Sequence, residues 1–223
     1  MNRCLAMEVA LLGVAGAGKG FFARRLVREL GLVHLSMGEL LRERAGRDPG
    51  LGDRLRRGEL VDDGLCIALL SAGIARASGR GVLLDGFPRS LRQAELLEER
   101  HRFHAVEVRL DLQIATEKLL GRRQCSTCGE AFNLAHIVRG RVNMPAILPD
   151  PSRCPLGKGC SPLLTRREDD TPEVIARRLE LYRREAAPVL RFFAERGRLT
   201  VFEVVRGAED SSELVRIVRD LAG

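Results

Sequence analysis

Residues Gly13–Gly20 read GVAGAGKG, with the spacing G-x-x-x-x-G-K. Glycines at those intervals let backbone N–H groups turn inward around a phosphate chain. Lys19 adds a mobile cation that can follow a transferring phosphoryl group. A second group of chemical interest is Cys125-Ser-Thr-Cys128-Gly, which has the spacing of a metal knuckle. Cys154 and Cys160 crowd into the same stretch, while Cys4 and Cys66 stand alone. Without a secretion signal, such a cluster reads as metal before disulfide. Four thiolates suit tetrahedral zinc, and a closed set implies a structural site. A Cys154–Cys160 disulfide or free thiols are the alternatives, and Asp150 and His136 are weaker candidate ligands.

These groups need elements to position them. Met7–Gly13 is a short apolar run leading into the glycines, so it reads as a buried strand feeding a loop. Lys19–Leu30 follows with Leu, Val and Phe at helical spacing, and Gly31 stops it. A phosphate loop requires this setting, because the first turn of the helix offers free N–H groups and the positive end of its dipole. Leu32–Ser36, Val82–Asp85, Ala105–Asp111 and Leu199–Val205 read as further strands, the second of them ending in a carboxylate. Helical patterns lie at Gly38–Arg44, Gly64–Ala77, Leu91–Arg100, Ile114–Arg122 and Thr171–Glu195. Strands alternating with helices predict an α/β fold, a parallel five-stranded sheet with helices on both faces. Gly46–Asp63 is charged and helical without a strand, and Gln124–Thr165 is rich in Pro, Gly and Cys. Structureless loops of that length are uncommon in a compact domain, so each stretch reads as an inserted subdomain.

The chain has 223 residues, enough for one buried core with small insertions and short for two independent domains. Hydrophobic residues make up 45% and charged residues 30%, which places it among soluble globular chains. No window approaches the run of about 18 apolar residues that a membrane span needs. The start MNRCLAMEVALLG is too short for a secretory signal, which points to the cytoplasm, with a mitochondrion or plastid as the alternative if a leader was removed. A net charge of +7 favours anionic partners. The arginines are spread along the whole chain and aromatics are only 4%, so little stacking surface is left for nucleic acid.

Further strings fall in order: LSMGELLR (Leu35–Arg42), GELVDD (Gly58–Asp63), LLDGFPRSLRQA (Leu83–Ala94), LLGRRQC (Leu119–Cys125) and TRREDDTPEVIARRLELY (Thr165–Tyr182). With GVAGAGKG they resemble the adenylate kinase family along nearly the whole chain, and most of all a plant-organelle-like subgroup with a CxxCG lid. The resemblance implies a P-loop NTPase fold. Its core would be residues 1–35, 66–123 and 166–223, with an AMP-binding insertion at 36–65 and a lid at 124–165. It implies reversible phosphoryl transfer from MgATP to AMP, giving two ADP, by a monomer with neither nucleic acid nor a membrane as partner.

The resemblance also implies roles for single residues. Gly16, Ala17, Gly18, Lys19, Gly20 and Phe21 would hold the ATP phosphates, and Lys118, Ala131 and Phe132 the ATP adenine. Asp85 would hold magnesium through water. Arg42, Arg89, Arg122, Arg167 and Arg178 would converge on the two phosphate groups. Met37, Glu59, Leu60 and Val61, with Gly86, Phe87, Pro88 and Arg89, would line the AMP pocket, and Gln93 would read the adenine edge. Asp169 and Asp170 would pair across the hinge. Cys125, Cys128 and Cys160 stand where metal-bearing lids of the family place ligands for structural zinc; the usual third ligand would lie at Gly157, and Cys154 is the candidate in its place, giving C-x5-C instead of C-x2-C. The chain departs from the family pattern at Ala15, Phe21, Phe22, Met37 and Lys118. Planar arginine forks match phosphate oxygens, and no general base is required, because phosphoryl transfer is a matter of positioning and charge neutralisation. Two rivals remain: a kinase of the same fold acting on UMP or CMP, for which Met37 speaks, and a catalytically weak nucleotide-binding module, for which Phe21 speaks.

Overall fold

The computed structural model describes residues 7–59, 61–150 and 164–221. Its centre is a five-stranded, wholly parallel sheet. In chain order its strands are β1 (Glu8–Leu12), β2 (Val33–Ser36), β3 (Val82–Asp85), β4 (His104–Arg109) and, after the insertions, β10 (Leu199–Glu203). They lie side by side in the order β10-β4-β1-β3-β2. Side chains alternate across a strand, and here both faces are apolar. Val9 and Leu11 of β1 join one core cluster, while Ala10 and Leu12 join the other. That double burial explains why β1 reads as a continuous apolar run.

Helices cover both faces: α1 (Lys19–Leu30), α2 (Met37–Ala45), α3 (Pro49–Arg56), α4 (Asp63–Arg76), α5 (Leu91–Glu98), α6 (Leu112–Gly121), α7 (Pro172–Ala194) and α8 (Ser211–Asp220). The sequence reading stops at Val205 and leaves out α8, although Leu214, Val215 and Val218 form its buried face against α1. The other boundaries agree to within a few residues. Helix starts have local causes: Asp62, Ser90, Asp111 and Thr171 each accept a hydrogen bond from a backbone N–H in the first turn.

The stretch after α6 builds two small sheets. Strands β5 (Arg122–Cys125), β6 (Ala131–Asn133) and β9 (Leu164–Thr165) form an antiparallel three-stranded sheet around Cys125. Strands β7 (Ile137–Arg139) and β8 (Val142–Met144) form a hairpin. Ile137 and Met144 of that hairpin are buried in the same cluster as Val9 and Phe202, and the Asn143 N–H donates to the Val205 carbonyl at 3.0 Å. Part of the segment expected as a lid is therefore packed on the main sheet.

Candidate active site

The loop after β1 forms because two of its glycines stand where a side chain has no room. Gly13 and Gly16 have φ of +136° and +92°. A Cβ on Gly13 would lie 2.3 Å from the Val108 carbonyl oxygen, and one on Gly16 would lie 2.5 Å from that of Ala115. The loop thus sits pressed onto β4 and α6, and α1 starts immediately after it. Ala17, within the loop, turns its methyl into the core.

The loop borders a cleft of about 330 Å³. Gly16, Gly18, Lys19, Gly20 and Phe21 line one side. Asp85, Gly86, Pro88 and Arg89 enter from the end of β3, which the sheet places beside β1 through the pairing of Leu11 with Asp85. Arg42 comes from α2, Arg122 from the start of β5, Arg167 from the connection after β9, and Arg178 from α7. All five arginines expected at a phosphate therefore open onto one cleft. Lys118, Ala131 and Phe132 line its far end. A smaller recess beside the cleft is lined by Met37, Glu59, Val61, Phe87, Arg89 and Gln93, together with Cys66. Leu60, Cys154 and Cys160 lie outside the described residues.

Electrostatics in the cleft are dominated by crowded cations. Burial drives the pKa of Lys19 down to about 8; Asp85 counters this, while Arg89, Arg122 and Arg178 add to it. Its ammonium donates to the carbonyls of Gly13 and Val14 at 2.7 and 2.9 Å. Burial likewise brings Arg167 down to about 10, with Arg122 and Arg42 contributing. Arg89 is lowered by burial and by Arg178, and its Nε donates to the Gly86 carbonyl at 2.8 Å. Burial alone would raise the Asp85 carboxyl, but His34, Lys19 and Arg89 outweigh it and hold the group below its usual range. Asp85 is thus an anionic oxygen donor suited to a hard divalent cation or its bound water.

Two of the arginines carry carboxylate partners. Arg122 makes a two-pronged contact to Asp170, its Nε donating to Oδ2 at 2.7 Å. Asp170 is 0% exposed. Arg178 binds Asp169 and lies 3.8 Å from Asp170. The expected pairing of Asp169 and Asp170 thus runs to the arginines of the cleft itself. Gln93 is buried, its amide held between the Arg89 N–H and Asp63. Lys118 reaches the Met144 sulfur at 3.8 Å, and burial lowers its pKa. Phe22 is buried edge-on against Phe202, so this departure from the family pattern serves the core; Phe21 packs against that core beside it, and both rings border the cleft.

In the cysteine stretch, Cys125 is buried at the end of β5 and Cys128 lies in the following turn. The Cys125 carbonyl accepts from Gly129 N–H, and the Cys125 N–H donates to Glu130, both at 2.9 Å. This turn puts the two thiols into one apolar group with Phe132 and Leu164. Two thiols are half of what a tetrahedral metal site would need. Among the described residues no group of three or more His, Cys, Asp or Glu is gathered in a way that could hold a metal.

Several contributors are absent from the sequence reading. His34 stands 3.6 Å from the Asp85 carboxylate. Asn133, Ile147, Gly207 and Ala208 line the far end of the cleft, and Asn133 donates to the Lys118 carbonyl at 2.9 Å. His34 lies in a strand that was read, but nothing in the strand pattern marks it as a neighbour of Asp85, and Ile147, Gly207 and Ala208 come from segments in which no motif was read.

Residues 11–198 match the family model described as adenylate kinase. The chain is 38% identical over 215 residues to "Adenylate kinase 1, chloroplastic" of Arabidopsis thaliana, covering 92% of this chain and 75% of that protein. It is 33% identical over 228 residues to the adenylate kinase of Bacillus subtilis (strain 168), covering 97% and 98%. It is also 33% identical over 221 residues to a "GTP:AMP phosphotransferase" of Plasmodium falciparum (isolate 3D7), covering 95% and 96%. The chain therefore belongs to the adenylate kinase family, as a phosphotransferase of the nucleoside monophosphate kinase type.

Proposed function

We propose that this protein transfers the γ-phosphoryl group of MgATP reversibly to AMP, giving two ADP. The observation that carries the reading is the gathering of Lys19, Arg42, Arg89, Arg122, Arg167 and Arg178 around one cleft. Six cations in a partly dehydrated space repel one another; Asp85, Asp169 and Asp170 offset part of that cost, and a ligand rich in anionic oxygens would offset the rest. A triphosphate and a monophosphate meeting end to end supply those oxygens.

In this reading the N–H groups of Gly16 to Phe21 and the Lys19 ammonium hold the donor phosphates. Lys19 exchanges the carbonyls of Gly13 and Val14 for phosphate oxygens. An AMP phosphate oxygen attacks the γ-phosphorus as the bond from that phosphorus to the leaving ADP oxygen breaks. Arg42 and Arg89 orient the acceptor phosphate, and Arg122, Arg167 and Arg178 neutralise the charge that spreads over the transferring group. The attacking phosphate is already ionised, so no base is needed. Asp85 would hold hydrated magnesium, which when bound neutralises and orients phosphate oxygens. Residues 36–65 act as the AMP-binding insertion, with Met37, Glu59, Leu60, Val61, Phe87 and Gln93 around the base, and residues 124–165 act as the lid apart from the β7–β8 hairpin, which is packed on the main sheet. Lys118, Ala131 and Phe132 face the donor base. Cys125 and Cys128, with Cys154 and Cys160, would hold a structural zinc ion, which would tie the lid together. The protein works as a monomer in the cytoplasm, or in a plastid, as the chloroplastic names of the plant relatives suggest.

The test is a coupled assay of ADP formation from ATP and AMP with magnesium. AMP should be used far better than UMP or CMP, and a run with GTP in place of ATP reads the choice of donor. Folded protein that forms no ADP would overturn the proposal.

A further inference from the structure

Gln93 is 2% exposed, and its amide lies between two neighbours of fixed polarity. Its Oε1 accepts from the Arg89 backbone N–H at 2.8 Å, and its Nε2 donates to Asp63 Oδ1 at 2.8 Å. A backbone N–H can only donate and a carboxylate can only accept. Turned over, the amide would set N–H against N–H and oxygen against oxygen in a buried setting, so only one orientation is stable. Asp63 is the first residue of α4, yet its neighbour Asp62 caps that helix, accepting from the Leu65 N–H at 2.9 Å. The Asp63 carboxylate is therefore left for Gln93, thirty residues away in sequence.

We infer that Asp63 is a positioning residue that sets the Gln93 amide to select a 6-amino purine monophosphate over a 6-oxo one. The inference rests on the reading of this recess as the acceptor base site. Oriented as it is, the amide offers a ligand one oxygen lone pair and one N–H. Adenine meets these with its N6–H donor and N1 acceptor. Hypoxanthine and guanine present O6 and N1–H, the reverse order. With the phosphate end anchored by arginines, the base cannot turn round to correct the mismatch. Without the Asp63 acceptor the Arg89 N–H still favours this orientation, but one of the two restraints is gone, so the amide turns toward a 6-oxo edge at a smaller cost.

The experiment compares AMP with IMP, which differ at the 6-position edge, using saturating ATP and chromatographic separation of the diphosphate products. Wild type, Asp63→Ala and Asp63→Asn are measured, each after a thermal melt. Asp63→Ala should lower the AMP-to-IMP ratio of kcat/KM by about tenfold or more, since an unmatched polar edge is strongly rejected only by a fixed partner. The change should fall on the KM of the monophosphates, with the KM of ATP nearly constant. Asp63→Asn retains a carbonyl oxygen for Nε2 and should keep most of the ratio. If Asp63→Ala does not fold, Asp63→Ser, which is polar but too short to reach, is read for the same ratio. A ratio equal to wild type in the shortened variant, or equal losses for AMP and IMP, would overturn this inference and leave the kinase reading standing. Wild type that makes no ADP from AMP would overturn both.

Discussion

Lys19 is held by the carbonyls of its own loop, and its ammonium is kept charged against burial by little more than Asp85. Two predictions follow from that balance. Lys19→Ala should fold normally and turn over about a hundredfold slower or worse, the scale for loss of one preorganised donor. Circular dichroism and the ADP assay check the two halves; near-normal turnover by a folded variant would remove Lys19 from the site. The second concerns pH. Only the charged amine serves the phosphates, so kcat/KM for ATP, which reports the free enzyme, should fall as pH rises through about 8. The effect on stability has the opposite sign. The folded pKa of about 8 lies below the unfolded value of about 10.4. Between these values the unfolded chain binds more protons, so this group's contribution to stability rises with pH there. A pH series of rates and melts separates the two trends.

Helix starts give the elements their registration. Asp111 accepts from the N–H groups of Gln113 and Ile114 at 2.8 and 3.1 Å and so fixes where α6 begins. That helix brings Lys118 to the cleft and passes directly into Arg122. Asp111→Ala should cost about 1 kcal/mol, the usual value of such a cap. In a chain of this size that lowers Tm by roughly 2–4 °C. The KM values for nucleotides should hold below the new Tm, because Asp111 itself does not line the cleft. A loss of activity without loss of stability would show that the cap does more than start the helix. The main strands were legible in the sequence because each depends on a few adjacent residues. The β7–β8 hairpin was not, because Ile137 and Met144 reveal their burial only once β10 and the residues after it are in place.

At the scale of the molecule, the small sheet around Cys125 has little core of its own among the described residues, where its cluster holds Cys125, Cys128, Phe132 and Leu164. A segment that small gains order from a metal where it cannot from burial. Purified protein, kept reduced and never exposed to chelator, should therefore contain one equivalent of zinc, measured by elemental analysis. Cys125→Ser should release the ion, because the thiolate is the ligand. The central sheet does not depend on that knuckle, so heating should show an early partial transition and a lower inactivation temperature. ATP binding should weaken more than AMP binding. Protein without metal, in which reductant alone reproduces the effect of the mutation, would replace zinc by a disulfide.

The sequence by itself determined the α/β alternation, the phosphate loop, the family and the list of arginines. These are properties of adjacent residues: glycine spacing, apolar period and short strings. Tertiary structure alone decided how those residues are paired. Asp85 meets the loop because β1 and β3 are neighbours in a sheet whose strands are out of chain order. Arg122 and Asp170 lie 48 residues apart and share a two-pronged contact, and Asp63 holds Gln93 across 30. Phe22, out of pattern in the sequence, proved to be core once Phe202 of β10 was set against it. Contacts between distant residues are set by sheet order and by burial, and neither can be read from spacing along the chain.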